Sequence, residues 1–331
     1  MCTAISWKCG SHFFGRTLDL ERTYGEEVVV IPRHYPMYLR RAGNMEAHYA
    51  MIGVAAAADG YPLFFDAANE RGLCMAALNF PGNAVYLPPA DSWGRIQEIA
   101  PFEFIPWILG RCASVREARD LLARMRAADI PFSDDYSLTP LHWILADPAE
   151  TLVIEPGKSG LALFDNPTGV LTNNPPFPMQ MFHLQQFRHL SPADREPTFG
   201  TGIPFTDFSR GLGSIGLPGD YSSPSRFVRA AFIRANITAV TVEERLSAFF
   251  HMMDAVAVPR GCVCLKDGGE VITRYTSCWD SESETYYYTV YENRQICAVS
   301  LREYDLESRE MMRHPMFTAE SIHQVKLADH S

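Results

Sequence analysis

No stretch of this chain reaches the run of about 18 apolar residues that crosses a bilayer as a helix, so a membrane-spanning helix is excluded. Basic residues are the minority, 29 Lys and Arg against 39 Asp and Glu, and the formal net charge is −10. Without a basic tract interleaved with aromatics, nucleic acid is not an expected partner. A charged segment followed by an apolar core is also missing from the first residues. The expectation is a chain without a signal peptide or lipoprotein signal, and with no stable membrane anchor. The eight cysteines, at positions 2, 9, 74, 112, 262, 264, 278 and 297, lack the spacing of a disulfide framework. Reduced thiols in a cytoplasm are expected. Cys262-Val-Cys264 lacks a matching Cys or His pair, and the ten histidines form no H-E-x-x-H, so no metal site is expected. Gly211-Leu-Gly213-Ser-Ile-Gly216 has the spacing of a dinucleotide fingerprint but lacks a preceding strand, and Pro218-Gly219 stands where a helix should run.

What is present is a 331-residue chain, 47% hydrophobic, long enough for one large core or two domains. Strands are read at Cys2–Trp7, His12–Leu20, Glu27–Ile31, Tyr49–Ala56, Gly72–Leu78, His142–Ala146, Thr151–Pro156, Leu161–Asn166 and Gly169–Leu171. Four more are read at Cys262–Lys266, Thr273–Cys278, Thr285–Tyr291 and Gln295–Val299. They meet at turns instead of alternating with helices, which predicts antiparallel sheet. Ser114-Val-Arg-Glu117 is a capping box that opens a helix to about Ala127. A helix pair follows, Pro224 to about Asn236 and, behind the capping box Thr241-Val-Glu-Glu244, a second to about Ala255. Pro101 and Pro106 divide a helical reading of Trp93–Gly110 in two. Pro175–Gly219, rich in Pro, Gly, Phe and Ser, reads as an ordered functional loop. The simplest organisation is one α+β domain over residues 1–331.

The most informative residue is Cys2. A small residue after the initiator Met permits its removal, which would leave a thiol and a free α-amine on one residue. An α-amine has a pKa of about 7.7–8.0, so part of it is neutral near pH 7 and can take the thiol's proton. Nucleophile and general base then arrive together. In the hairpin of the first two strands, Cys2 is expected opposite about Thr17, near Arg16 and Asp19. Those two point to opposite faces of a regular strand, so a bend or bulge is expected if both serve Cys2.

Cys2-Thr3 followed by Phe14-Gly15-Arg16-Thr17-Leu18-Asp19 resembles the choloylglycine hydrolase family, the N-terminal cysteine nucleophile hydrolases that include bile salt hydrolases and penicillin V acylases. The resemblance recurs in order along most of the chain. It is carried by Asn69-Glu-Arg-Gly-Leu-Cys-Met-Ala-Ala-Leu-Asn79-Phe-Pro-Gly82, Thr139-Pro-Leu-His-Trp143, Leu171-Thr-Asn173-Asn-Pro-Pro176, Leu217-Pro-Gly-Asp220, Ser225-Arg226-Phe-Val-Arg229 and Tyr275-Thr-Ser-Cys-Trp-Asp280. It implies a four-layer αββα sandwich, two antiparallel sheets between helix layers, and often a homotetramer. Cys2 would be the nucleophile, Asp19 would hold its amine, and Arg16 would lie near the thiol. Asn79 and Asn173 would help form the oxyanion hole, and Arg226 would complete the cluster. Taken singly, each of these residues has a plain structural reading as well: an ion pair, a turn residue, a helix-surface charge.

The resemblance implies hydrolysis of the amide of conjugated bile salts through a Cys2 thioester, with a small-molecule substrate and no cofactor. Asn79 follows the bile salt hydrolase pattern, where penicillin V acylases tend to carry Tyr. Candidates for an apolar acyl pocket are Leu20, the loop Tyr61-Pro-Leu-Phe64-Phe65 and Ile130-Pro-Phe132. Such a pocket suits a steroid body, and equally a phenoxyacetyl or fatty acyl group. The loop Phe208-Ser209-Arg210-Gly211 is where family members differ in amine preference, and an Arg there would meet a taurine sulfonate. A penicillin V or N-acyl amide acylase, a bile acid aminoacyl transferase and a non-catalytic steroid-binding protein stand as alternatives.

Overall fold

The computed structural model describes residues 1–90 and 96–325. Its strands in chain order are β1 Cys2–Cys9, β2 Ser11–Leu20, β3 Glu26–Ile31, β4 Met37–Leu39, β5 Gly43–Met45, β6 Met51–Ala58, β7 Tyr61–Asn69, β8 Cys74–Asn79, β9 Gln97–Ile99, β10 Met125–Ala127, β11 Leu141–Ala146, β12 Thr151–Gly157, β13 Gly160–Asp165, β14 Val170–Leu171, β15 Ile272–Asp280, β16 Thr285–Val290, β17 Asn293–Ser300 and β18 Met312–Pro315. The helices are α1 Phe104–Arg111, α2 Val115–Leu122, α3 Phe177–Leu184, α4 Ser223–Asn236 and α5 Val242–Asp254. None is long and apolar enough to cross a membrane.

Two antiparallel sheets dominate. One has the order β14-β1-β2-β15-β16-β17, the other β13-β12-β11-β8-β7-β6-β3-β18. Alternation along the strands of the second sheet sorts its side chains. Val28, Val30, Cys74, Ala76, Leu78, Ile144 and Val153 join the core shared with the first sheet. Val29, Ile31, Met75, Ala77, Trp143, Leu145 and Ile154 join a second core built on α1 and α2. These strands read as unbroken apolar runs because both of their faces are covered. Helices α4 and α5 cover the outer face of the first sheet through Phe227, Ala230, Phe249 and Met252. The result is the expected α+β sandwich, helix, sheet, sheet, helix.

Local departures from expectation have local causes. The helix opened by Ser114 stops at Leu122. Arg124 N–H closes onto Leu121 O, and Met125–Ala127 then pairs in parallel with Gln97–Ile99. Pro106 sits inside the first turn of α1, where its missing N–H is harmless, so only Pro101 marks a start. The beginning of that reading, Trp93 to 95, lies outside the described residues. Cys262–Lys266 is not a strand. It is a loop between Gly261 and Gly268, both at positive φ, with one isolated bridge from Cys264 to Glu270. The stretch from Pro175 begins with α3 and continues as an exposed loop. Tyr61–Phe65, taken from the sequence as loop, forms the first half of β7.

Candidate active site

The β1–β2 hairpin positions the candidate nucleophile. Cys9 pairs directly with Ser11 across Gly10, whose φ of +72° suits glycine. Cys2 therefore lies opposite Leu18, one residue from the expected position, and Thr3 lies opposite Thr17. Cross-strand partners share a face. Arg16, opposite Ala4, is on the face of the Cys2 side chain, while Asp19 and Thr17 are on the other. No bulge in β2 is needed. Arg16 reaches the thiol side and Asp19 the nitrogen side of Cys2. The irregularity falls instead on β15, where Arg274 is the extra residue between Thr273 and Tyr275.

On the nitrogen side the polar groups form a closed network. Cys2 N–H donates to Asn173 Oδ1 at 2.9 Å. Arg226 Nη2 donates to the same oxygen at 2.7 Å, and its Nη1 donates to Cys2 O at 2.5 Å and Thr3 Oγ1 at 2.6 Å. Arg226 Nε donates to Tyr221 O at 3.0 Å. Asn173 Nδ2 donates to Asn79 O at 2.8 Å. The Asp19 carboxylate accepts from Thr273 Oγ1 at 2.6 Å and Thr17 Oγ1 at 3.1 Å. The Met1 ammonium donates to the Asp19 carbonyl at 2.6 Å. Asp19 and Arg226 are fully buried. Burial lowers the Arg226 pKa, against the opposing pull of Asp19 and Cys2.

On the thiol side the second sheet splits. Strands β7 and β8 pair from Ala68–Cys74 to Asp66–Ala76 and no further. Of the next residues, Ala77 pairs only with its outer neighbour, opposite Trp143, and Phe65 is an extra residue in the β6–β7 register. Into this fork runs Arg16. Its Nη1 donates to Phe65 O at 3.0 Å and Ala77 O at 2.6 Å, and its Nε to Thr17 O at 3.2 Å. Arg16 is fully buried and its Nη2 has no hydrogen-bond partner among the described residues. Burial works against its charge, but the facing groups Cys2, Tyr275, Asp66 and Asp19 outweigh that and raise its pKa.

The fork opens into a cavity that is open to solvent at its mouth. Cys2 and Arg16 are among its lining residues. The walls are mostly apolar, with Leu18, Leu20, Leu63, Phe64, Phe65, Phe102, Ile105, Ile130, Phe132, Leu138 and Trp143 among them. Leu20, Phe64, Phe65, Ile130 and Phe132 are thus brought together as expected. Asn79 also lines the cavity, and its side-chain amide has no protein partner among the described residues. Asn173 does not line it; its amide nitrogen is occupied by Asn79 O. Ser209 and Arg210 are not brought to this cavity. Both are exposed, and Ser209 Oγ donates to Arg210 O at 3.2 Å. They follow an irregular segment that no strand or helix ties to the site.

Sequence reasoning missed a buried carboxylate behind Arg16. Asp66 accepts from Tyr275 Oη at 2.5 Å, Ser277 Oγ at 3.0 Å and Tyr286 Oη at 2.5 Å. The signal was a lone acid inside Leu63-Phe64-Phe65-Asp66-Ala67-Ala68. An uncompensated charge in such a run is costly, so a partner had to exist.

The sequence profile of the linear amide C–N hydrolases, choloylglycine hydrolase family, matches residues 2–314. A bile salt hydrolase/transferase of Lactiplantibacillus plantarum is 44% identical over 318 residues, 96% of this chain and 97% of the relative. A crystal structure of a mutant conjugated bile acid hydrolase from Clostridium perfringens superimposes with a TM-score of 0.90 at 33% identity, over 98% of this chain and all of that one. Penicillin V acylase from Agrobacterium tumefaciens shares the fold, with a TM-score of 0.74 at 18% identity over 95% of this chain and 90% of that one. A profile match over nearly the whole length, with Cys2 set between a guanidinium and a buried Asn–Arg network, leads to one assignment: the chain belongs to the choloylglycine hydrolase family of linear amide C–N hydrolases.

Proposed function

We propose that this chain hydrolyses the amide of conjugated bile salts, releasing taurine or glycine and the free bile acid through an acyl-thioester on Cys2. The observation that carries the reading is that Cys2 lines a mostly apolar cavity that also holds the unpartnered Asn79 amide. The names of the full-length relatives support bile salts as substrate. The apolar walls suit a steroid body better than a polar acyl group.

With Met1 in place, the nitrogen of Cys2 is a peptide N–H bonded to Asn173 Oδ1. Removal of Met1 converts this nitrogen into an α-amine beside the same acceptor. The amine takes the proton of the thiol, and sulfur attacks the substrate carbonyl. Negative charge then develops on the carbonyl oxygen, for which the Asn79 amide is the donor. One such donor is worth about 2.7–4 kcal/mol. The protonated amine passes its proton to the leaving nitrogen, and taurine or glycine departs. Water attacks the thioester with the amine again as base, and sulfur leaves as the thiol. In this scheme Asn173 and Arg226 seat the backbone of Cys2 and the carbonyl of Asn79. Arg16 presents a cation to the Cys2 sulfur.

Interception of the thioester by an amino acid in place of water would make a new conjugate. The transferase in the name of the Lactiplantibacillus plantarum relative favours testing this second reading. Cytoplasmic location and a homo-oligomer complete the proposal. The exposed Phe182, Phe199 and Phe208 support the second of these, and sedimentation checks it.

The test is release of taurine and glycine from taurocholate and glycocholate, with Cys2→Ala alongside, phenoxymethylpenicillin as a second substrate and intact mass to establish loss of Met1. Release by wild type that falls at least about a thousand-fold in Cys2→Ala is expected. Turnover of the penicillin alone would move the chain to the acylase branch. Full activity with Met1 retained would remove the amine from the mechanism.

A further inference from the structure

Asp66 takes no part in the chemistry above, yet it is fully buried and lies at the apex of the fork that receives Arg16. It follows Phe65, whose carbonyl accepts Arg16 Nη1. Its Oδ2 accepts from Ser277 Oγ, and that hydroxyl in turn accepts the backbone N–H of Arg16 at 3.0 Å. Tyr275 and Tyr286 complete the cradle. One carboxylate therefore ties β7 to β15 and β16 at the point where Arg16 turns from the first sheet into the second. Asp66 and Arg16 are electrostatic neighbours without a direct hydrogen bond, because the guanidinium is held on carbonyls.

We infer that Asp66 is a positioning residue for Arg16: the carboxylate, pinned by three hydroxyls, holds the guanidinium back in the fork and so sets how closely its charge approaches the Cys2 thiol. Burial raises the Asp66 pKa, against the pull of Arg16 and of the three hydroxyl donors, and Asp19 also faces the guanidinium. Withdrawal of the Asp66 charge frees the cation to move toward the Cys2 sulfur. The remaining tethers of Arg16 are neutral carbonyls, and its unpartnered Nη2 shows that the guanidinium is not saturated. The inference rests on the reading of Cys2 as nucleophile, but its test needs no substrate.

The experiment is the pH dependence of Cys2 alkylation by iodoacetamide, followed by mass on the processed full-length protein. Asp66→Asn keeps the shape and removes the charge. The midpoint of Cys2 alkylation is expected to fall by about one pH unit, the lower end of what a neighbouring charge does. In an Arg16→Gln background the same substitution should leave the midpoint where it was. An unshifted midpoint in folded Asp66→Asn overturns the inference. An equal shift without Arg16 overturns it too, because the carboxylate would then act on the thiol directly. A purely structural role would lower the melting temperature and leave the midpoint alone. If Asp66→Asn does not fold, Tyr286→Phe is read instead. It keeps the carboxylate, removes one donor and concentrates its pull on Arg16, so the midpoint should rise; no movement there overturns the inference as well. Loss of bile salt turnover with the midpoints behaving as described would sink the substrate reading alone.

Discussion

Cys2 lies between two buried arginines, and the two sides of the site are built on opposite plans. On the nitrogen side, Arg226 spends its donors on Cys2 O, Thr3, Asn173 and Tyr221. On the thiol side, Arg16 keeps one nitrogen unpartnered and lines an open cavity. Burial lowers the pKa of Arg226, whereas surrounding negative groups outweigh burial and raise that of Arg16. Fully satisfied buried networks hold a geometry rigidly. A cation left with spare hydrogen-bonding capacity can respond to a reacting group. The difference separates the part that places the nucleophile from the part that adjusts it.

The largest expected effect breaks the nitrogen side. Arg226→Gln leaves Cys2 O, Thr3, Asn173 Oδ1 and Tyr221 O short of donors in a dry interior. Breaking a buried charged network in this way costs about 3–5 kcal/mol. Arg16→Gln should cost less stability, because the cavity admits water to the Phe65 and Ala77 carbonyls. Denaturant melts of the two variants check the order. Activity should fall about 100-fold or more in both, through a misplaced Cys2 in one and loss of the cation beside its sulfur in the other. Equal stability losses would mean that the two sides are equally closed.

The next effect falls on the strand that joins the sides. Gly15 precedes Arg16 on β2, where a Cβ would overlap the Ser277 carbonyl on β15. Gly15→Ala must push the two backbones apart, and overpacking of this kind costs about 1–3 kcal/mol. Because Ser277 also binds Arg16 N–H, activity should fall further than stability alone accounts for. A thermal melt and a rate on one preparation show whether the two losses separate.

These contrasts also explain what was legible beforehand. The hairpin, the αββα layering and the Cys2, Arg16, Asp19, Asn79, Asn173 and Arg226 cluster could be read because their signals are local or belong to family motifs. The one-residue error in the partner of Cys2 came from the tightness of the turn at Gly10. The fork was not legible, because a sheet that splits between Phe65 and Ala77 leaves both strands reading as ordinary strands. Asp66 escaped for the same reason, its hydroxyl partners lying more than 200 residues away in sequence. The end of α2 at Leu122 was set by pairing of 125–127 with a segment whose neighbours carry no strand signal.

The cavity gives a smaller effect. Phe132 packs edge-on to Phe102 at 5.2 Å and to Tyr136 at 5.8 Å, and forms part of the cavity wall. Phe132→Ala should raise KM for taurocholate about tenfold while kcat holds within about twofold, since binding surface worth about 1–3 kcal/mol is lost and the nucleophile keeps its seat. A fall in kcat of the same size would show that the acyl wall also orients the reacting carbonyl, and would blur the division between the two sides.

The smallest effect concerns Arg210, the residue from which a taurine preference was expected. It is exposed, and the lining of the Cys2 cavity within one chain does not include it. A guanidinium in water gains little from an exposed ion pair, about 0–1 kcal/mol. Arg210→Ala should therefore leave the ratio of kcat/KM for taurocholate and glycocholate within about twofold of wild type. The cations that do line the cavity are Arg16 and Arg22. A ratio that collapses in Arg210→Ala would bring the exposed loop to a reacting centre, that of its own chain or of a second copy. A dependence of that ratio on protein concentration would then identify a second copy as the source, and the open side of the site would have two owners instead of one.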